Sequence, residues 1–332
     1  MPEDLSPLQV TADPVLSAFE LPLRRTFYPF GYPLVLETNS RDVIDAAEEG
    51  WGGFERMFND EPARVCLGVT DTDSESPLPA SVIRAREHLM SIVADAENFM
   101  QCDFDRGFAF GWVTRSTAAD HPLLRYRFLV AGGATLGEQR ALAPLHGALV
   151  MRNGSGVMLC GDSFAGKSTL AYACARAGWT YVSDDGTFLM RDRRDRYAIG
   201  DPHSVRFRTD APELFPELAD HLPTVRPNGK IAIEVRTRDL SVATAAGCIV
   251  DHVVFLDRER HLEHPRPASL HRYPESLALE EWARHTVLGT EEVRAAQRAC
   301  HKHLLGAGLW RMQYSHLEEA VALLERLVDQ GG

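Results

Sequence analysis

The stretch Gly161-Asp162-Ser163-Phe164-Ala165-Gly166-Lys167-Ser168-Thr169 fits the pattern G-x-x-x-x-G-K-[ST]. The apolar run Val157-Met158-Leu159-Cys160 precedes it, and residues 168–177, which follow, have a helical pattern that stops at Gly178. In a strand, glycine loop and helix of this order, backbone N–H groups turn inward and the helix adds the positive end of its dipole, which suits phosphate oxygens. The pattern places Lys167 on the β- and γ-phosphates of a nucleotide and the Ser168 hydroxyl on Mg²⁺. Gly161, Asp162, Ser163, Phe164, Ala165, Gly166 and Thr169 complete the cradle, so ATP and Mg²⁺ are the expected ligands.

On the N-terminal side, residues 142–150 are apolar and lead into Asn153-Gly154, a pair that tolerates the positive φ of a tight hairpin turn. The returning strand feeds the loop directly. On the C-terminal side a strand over 179–182 ends in Ser183-Asp184-Asp185, at the end of a strand where a parallel sheet presents residues to a ligand. Paired carboxylates there divide the work of phosphoryl transfer: Asp184 for the metal, Asp185 to accept the proton of an attacking hydroxyl. Asp257, after the apolar run 253–256, competes for the metal. Strands are expected over 230–235 and 252–256, then helices over 277–305 and 315–328. The last helix has a capping-box start, Ser315 with Glu318, and a packing stripe of Leu317, Val321, Leu324 and Val328.

Residues 1–24, with Pro2, Pro7, Pro14 and Pro22, read as an extended tail. Residues 25–140 read as a smaller α+β domain. Its strands are expected over 33–38, 64–70, 108–114 and 126–130, with a helix capped by Asn39 or Ser40 that carries Val43, Ile44 and Ala47 and closes at Trp51. A polar stretch, 71–79, and a helix over 82–98 lie between. Residues 141–330 form the phosphate-loop domain with its C-terminal helices.

The 332 residues are 45% hydrophobic, enough for packed cores, and 47 acidic against 35 basic side chains leave a formal charge of −12, which repels nucleic acid. The cysteines Cys66, Cys102, Cys160, Cys174, Cys248 and Cys300 form no C-x-x-C pair and read as reduced and mostly buried. No run approaches the ~20 apolar residues of a membrane span, and no leader pattern opens the chain. A soluble, cytoplasmic protein with no membrane or nucleic-acid partner is expected.

Over about forty residues the order His146-Gly147-Ala148-Leu149-Val150, Gly156 to Ser163, Gly166-Lys167-Ser168 and Val182-Ser183-Asp184-Asp185 resembles the C-terminal catalytic domain of HPr kinase/phosphorylase. That family's loop domain is related to phosphoenolpyruvate carboxykinase. A second piece, Val225-Arg226-Pro227-Asn228-Gly229-Lys230 and then Ile231-Ala232-Ile233-Glu234-Val235, is similar to the family's basic loop and strand. The resemblance implies an α/β kinase domain with a mixed sheet, nucleotide and magnesium on Lys167 and Ser168, Asp185 as general base, and His146 near the reacting phosphate. The family's glutamate-arginine-glycine signature is not found after the aspartates. The segment 200–208 stands there, and Arg206 or Arg208 is a candidate for the transferred phosphate. Lys230 stands where the family has arginine, which keeps the charge and loses the bidentate fork. His261, His264, His301 and His303 read as surface histidines.

Together these features predict a kinase that transfers the γ-phosphate of ATP to a hydroxyl, serine of a protein, a peptide or a small molecule. A nucleotide-sensing module without transfer, and a phosphoserine hydrolase or phosphorylase using the Arg226–Lys230 loop, stay open. So does a homo-oligomer.

Overall fold

The computed structural model describes residues 20–73, 78–226, 229–258, 267–284 and 288–330. Pro2, Pro7, Pro14, His261, His264, Pro227 and Asn228 lie outside them, as do most of the expected tail and part of the 71–79 stretch. By its contacts the chain divides into two units, Met1–Gly52 with Arg56–Leu136, and Gly53–Glu55 with Gly137–Gly332. The protein is mixed α/β, with sheets that combine parallel and antiparallel pairs.

The first unit is built on seven strands: β1 (Leu23–Phe27), β2 (Leu34–Thr38), β3 (Ala63–Thr70), β4 (Val82–Arg86), β5 (Leu89–Val93), β6 (Phe99–Asp103) and β7 (Phe108–Thr114). Their order is β1-β2-β3-β7-β6-β5-β4, with β2, β3 and β7 parallel. Helix α1 (Arg41–Trp51) starts after Ser40, and its apolar positions Val43, Ile44, Ala46 and Ala47 are buried. After β7 come α2 (Arg115–Ala119), α3 (His121–Leu124), a π-helical segment (Arg125–Ala134) and α4 (Thr135–Ala141).

Two expectations fail here. Residues 82–98 form strands β4 and β5, not a helix, because Glu87 takes a φ of 55° and turns the chain into a hairpin between them. Residues 126–130 are π-helical, not a strand. Gly132 and Gly133 let this helix approach closely: a Cβ would meet Met100 Sδ at 2.2 Å and the Trp51 ring at 2.9 Å.

The second unit, which takes in α4 from Gly137, continues with β8 (Leu142–Arg152) and β9 (Ser155–Cys160), joined by a two-residue turn with Asn153 at φ 52° and Gly154 at φ 83°. Helix α5 (Lys167–Arg176) follows, and then β10 (Thr180–Ser183), β11 (Gly186–Met190), β12 (Tyr197–Gly200), β13 (Ser204–Phe207), β14 (Thr224–Val225), β15 (Ile231–Arg236), β16 (Ala243–Thr244), β17 (Gly247–Arg258) and β18 (Ser269–Arg272). Helices α6 (Glu275–Ala283) and α7 (Glu291–His303), strand β19 (Gly308–Tyr314) and helix α8 (Leu317–Gln330) complete it. The pairings β8 with β11, β11 with β12, β12 with β17, β17 with β9 and β9 with β8 close a ring.

Side chains alternate along β8 and β9, so Ala148, Val150, Val157 and Leu159 face one core with α5 and α8. Leu149, Met158 and Cys160 face a second core with Trp282 and Cys300 from α6 and α7. A fully buried leucine such as Leu170 or Leu324 stabilises by roughly 1.5–3 kcal/mol. The expected C-terminal helix over 277–305 is two helices, and β19, parallel to β17, stands between α7 and α8. The capping box at Ser315 does not form: its Oγ is buried with no hydrogen-bond partner, and α8 starts two residues later. His301 is buried and not on the surface, with Nε2 3.0 Å from the Pro144 carbonyl oxygen.

Candidate functional site

The loop between β9 and α5 is held by unusual backbone. Gly161 has a φ of 144°, Phe164 of 76° and Gly166 of 95°. A Cβ on Gly166 would lie 2.5 Å from the Tyr314 hydroxyl, so glycine is required there for space as well as for conformation. Tyr314, at the end of β19, donates to the Ala165 carbonyl at 3.0 Å and props the loop. Phe164 is an exposed aromatic with the Arg208 guanidinium 4.5 Å from its ring centroid. At the start of α5 the first N–H groups have no acceptor within the helix, which leaves them for an anion.

Lys167 is buried, and its Nζ donates to the carbonyls of Gly161 at 2.8 Å and Asp162 at 3.2 Å. Burial lowers the ammonium's affinity for its proton, while Asp185, Cys160 and Asp162 oppose that shift. The Ser168 hydroxyl lies 3.4 Å from the Asp184 carbonyl oxygen. Thr169 continues the first turn of α5.

The two aspartates directly follow β10, which pairs parallel with β16 on one side and antiparallel with β8 on the other. β10 and β11 run one after the other antiparallel to β8, with a bulge between Tyr181 and Ser183, and Asp184-Asp185 interrupt the pairing. The Ser183 hydroxyl spans the interruption to the Gly186 carbonyl at 2.7 Å. The Asp185 carbonyl still accepts from Gly147 N–H at 3.0 Å. Their side chains part company. Asp184 is buried, and its Oδ2 accepts the backbone N–H of Arg206 on β13 at 2.9 Å. Burial pushes its carboxyl up to about 6 against the pull of Arg206. Asp185 is half-exposed, with Oδ1 2.9 Å from His146 Nδ1. That bond, helped by the charges of His146, Arg206 and Lys167, holds its carboxyl below the usual range despite desolvation.

Register explains the meeting. Gly147 on β8 lies opposite Cys160, the last residue before the loop, and His146 lies opposite Gly186. One strand therefore brings His146, the loop and Asp185 together. The Arg206 guanidinium is 3.7 Å from Glu234 through Nε, which has no hydrogen-bond partner. Burial presses its charge down, and Asp184, Glu234, Asp201 and Asp185 outweigh that pressure.

The structure thus brings His146, Lys167, Ser168, Asp184, Asp185 and Arg206 into one corner. Asp257, the other candidate for the metal, stands between Leu256 and Arg258, which border Gly161 and Gly166, and its carboxylate accepts from Arg311 at 2.5 Å and Gln313 at 3.2 Å on β19. Lys230 is exposed, beside the turn in which Gly229 N–H donates to the Arg226 carbonyl at 2.8 Å. Sequence reasoning missed Tyr314 and the cavity of about 170 Å³ lined by His146, Cys160, the loop residues 161–163, Phe255 and Trp282. No local motif marks Tyr314, Phe255 or Trp282; β19, β17 and α6 bring them to the loop that the sequence does mark. The Cys160 thiol, pushed up to about 12 by burial, is an inert wall of that cavity.

The donor set fits a nucleotide phosphate and Mg²⁺: a glycine-shaped loop at a helix N-terminus, a buried ammonium, a hydroxyl and two carboxylates. Magnesium needs one or two protein oxygens when phosphates supply others. Among the described residues no three His, Cys, Asp or Glu side chains are placed to hold a metal by themselves. No helix among them is long and apolar enough to cross a membrane. All six cysteines are free and buried.

No family model matches this chain, and no curated protein matches it. Among solved structures, that of the Hpr(Ser) kinase/phosphatase from Coxiella burnetii is similar to 56% of this chain, over 98% of its own length, at 15% identity and a TM-score of 0.28. A TM-score of this size carries no inference about chemistry, which stands on the residues themselves.

Proposed function

We propose that this protein is an ATP-dependent phosphotransferase that moves the γ-phosphoryl group to an acceptor hydroxyl. The observation that carries the reading is the Asp185 carboxylate, held by His146 at 2.9 Å and acted on by the Lys167 charge, in the corner where the loop Gly161–Gly166 meets β8. Residues 161–169 would hold the nucleotide phosphates, with Lys167 matching their charge. Ser168 and Asp184 would hold Mg²⁺, whose contribution is to neutralise charge on the phosphate oxygens.

The acceptor hydroxyl oxygen attacks the γ-phosphorus. Its O–P bond forms as the bond to the β,γ-bridging oxygen breaks, ADP leaves with the electron pair, and the hydroxyl proton passes to the Asp185 carboxylate. A carboxylate kept ionised by His146 is a modest base. Phosphoryl transfer through a loose transition state asks little more, because positioning and charge carry most of the catalysis. Arg206 adds fixed positive charge behind the aspartates. The acceptor is a serine-type hydroxyl on a protein, a peptide or a small molecule, and a cytoplasmic location goes with ATP and reduced thiols.

The test is transfer from γ-labelled ATP with Mg²⁺ to serine peptides, free serine and a cell extract, with Asp185→Asn in parallel. Label in an acceptor that the variant loses is the expected result. ATP binding with no labelled acceptor would instead indicate a nucleotide-sensing module, and phosphate released from a phosphopeptide would indicate the hydrolase.

A further inference from the structure

We propose that the cavity beside His146 is the acceptor pocket, and that it takes a small zwitterion carrying a hydroxyl, of which free L-serine is the simplest. The proposal rests on the phosphotransferase reading and names its acceptor class.

Position is the first argument. His146 and loop residues 161–163 line the cavity, and His146 holds Asp185, so a hydroxyl in it sits beside both the phosphate cradle and the proton acceptor. Size is the second. At about 170 Å³ the cavity has room for roughly six water-sized groups, well short of a pocket for a drug-sized ligand. An amino acid of serine's size fits.

Charge is the third. Glu281 and Arg284 line the same cavity and pair with each other at 3.1 Å, three residues apart at the end of α6. Such a pair contributes little where both groups reach water. An ammonium and a carboxylate on one ligand can replace it with two charge-assisted hydrogen bonds, one to each residue. Phe255 and Trp282 supply apolar wall. A blocked peptide serine offers neither charge and leaves Glu281 and Arg284 paired. In the transfer step the serine Oγ takes the place of the acceptor oxygen above, and phosphoserine and ADP leave.

The deciding measurement is calorimetric binding of L-serine to the full chain with a non-hydrolysable ATP analogue and Mg²⁺, which needs no turnover. The expected result is millimolar or tighter binding that weakens at least about tenfold when the amine is acetylated or the carboxylate is amidated. Glu281→Gln is expected to erase the penalty for acetylation and Arg284→Met the penalty for amidation, each with nucleotide affinity unchanged. No binding of L-serine at millimolar concentration overturns the proposal, as does equal binding of the doubly blocked serine. A tenfold loss of nucleotide affinity in either variant also overturns it, because the cavity then belongs to the nucleotide. Failure of the phosphotransferase reading shows separately, as wild-type protein that labels no acceptor while L-serine still binds.

Discussion

In the first unit Asn98 is fully buried and each of its polar groups is matched, whereas in the second the nearly as buried Lys167 and Asp184 carry charges. Asn98 Oδ1 accepts from Thr114 N–H at 3.0 Å, and its Nδ2 and backbone N–H both donate to Asp95. Thr114 in turn caps α2. That network ties the end of β7 to the turn before β6. The Lys167 ammonium donates to carbonyls of its own loop, and Asp184 takes the Arg206 backbone N–H. Buried polar groups that satisfy one another hold a fold; buried charges gathered at one loop hold a potential that a ligand can answer.

The largest effect that would test this contrast is on transfer. Asp185→Asn should cut phosphoryl transfer about 10²–10⁴-fold, with ATP affinity and melting temperature near wild type, measured by label transfer, calorimetry and thermal denaturation. Wild-type transfer by the variant would move the proton acceptor elsewhere.

Next comes Asn98→Ala, which strands the Thr114 N–H and the Asp95 carboxylate. It should cost about 2–3 kcal/mol of stability in urea unfolding and leave nucleotide affinity alone. A loss of ATP binding with intact stability would reverse the contrast.

Glu138 on α4 is an intermediate case, a carboxyl pushed up to about 7 by desolvation. A raised acid is protonated in the folded chain, so its stabilising contribution is full below the ordinary carboxylate range and fades as pH rises through 7. Glu138→Gln should therefore gain about 1–2 kcal/mol relative to wild type at pH 8 and almost nothing at pH 4, read from denaturant midpoints. An unchanged difference across that range would refute the burial effect.

Smallest is Tyr314→Phe. Losing one hydrogen bond to the loop should cost about 1 kcal/mol of stability and weaken nucleotide binding a few-fold.

Legibility follows the same division. The loop, the Asn153-Gly154 turn and α5 were readable because local conformational demands fix them: positive φ at named residues, then a regular helix. Residues 82–98 deceived because Val82, Ile83, Leu89, Ile92 and Val93 satisfy a helical period loosely, and the turn at Glu87 uses a residue that does not advertise positive φ. Tyr126 to Val130 looks like a strand through its aromatic and branched residues, yet it lies within the π-helical segment Arg125–Ala134, where Phe128 and Leu129 are buried. β19 escaped because its partners, β17 and β18, lie far off in sequence. The residue identities of the candidate corner could be listed from sequence, but the separate partners of Asp184 and Asp185, Arg206 N–H on β13 and His146 on β8, could not, since both lie far off along the chain.

The Asn153-Gly154 turn also sets an order of assembly. It joins β8 and β9 through purely local pairing, of the kind that closes within microseconds, so His146 meets the strand that feeds the loop early in folding. Ring closure waits for β17, which must bring Val253 and Phe255 alongside Met158 and Cys160 from far down the chain. On the ribosome, a chain that has not yet emerged to Gly247 presents β9 with one edge unpaired, and that edge is the place where a chaperone or another nascent chain can take hold.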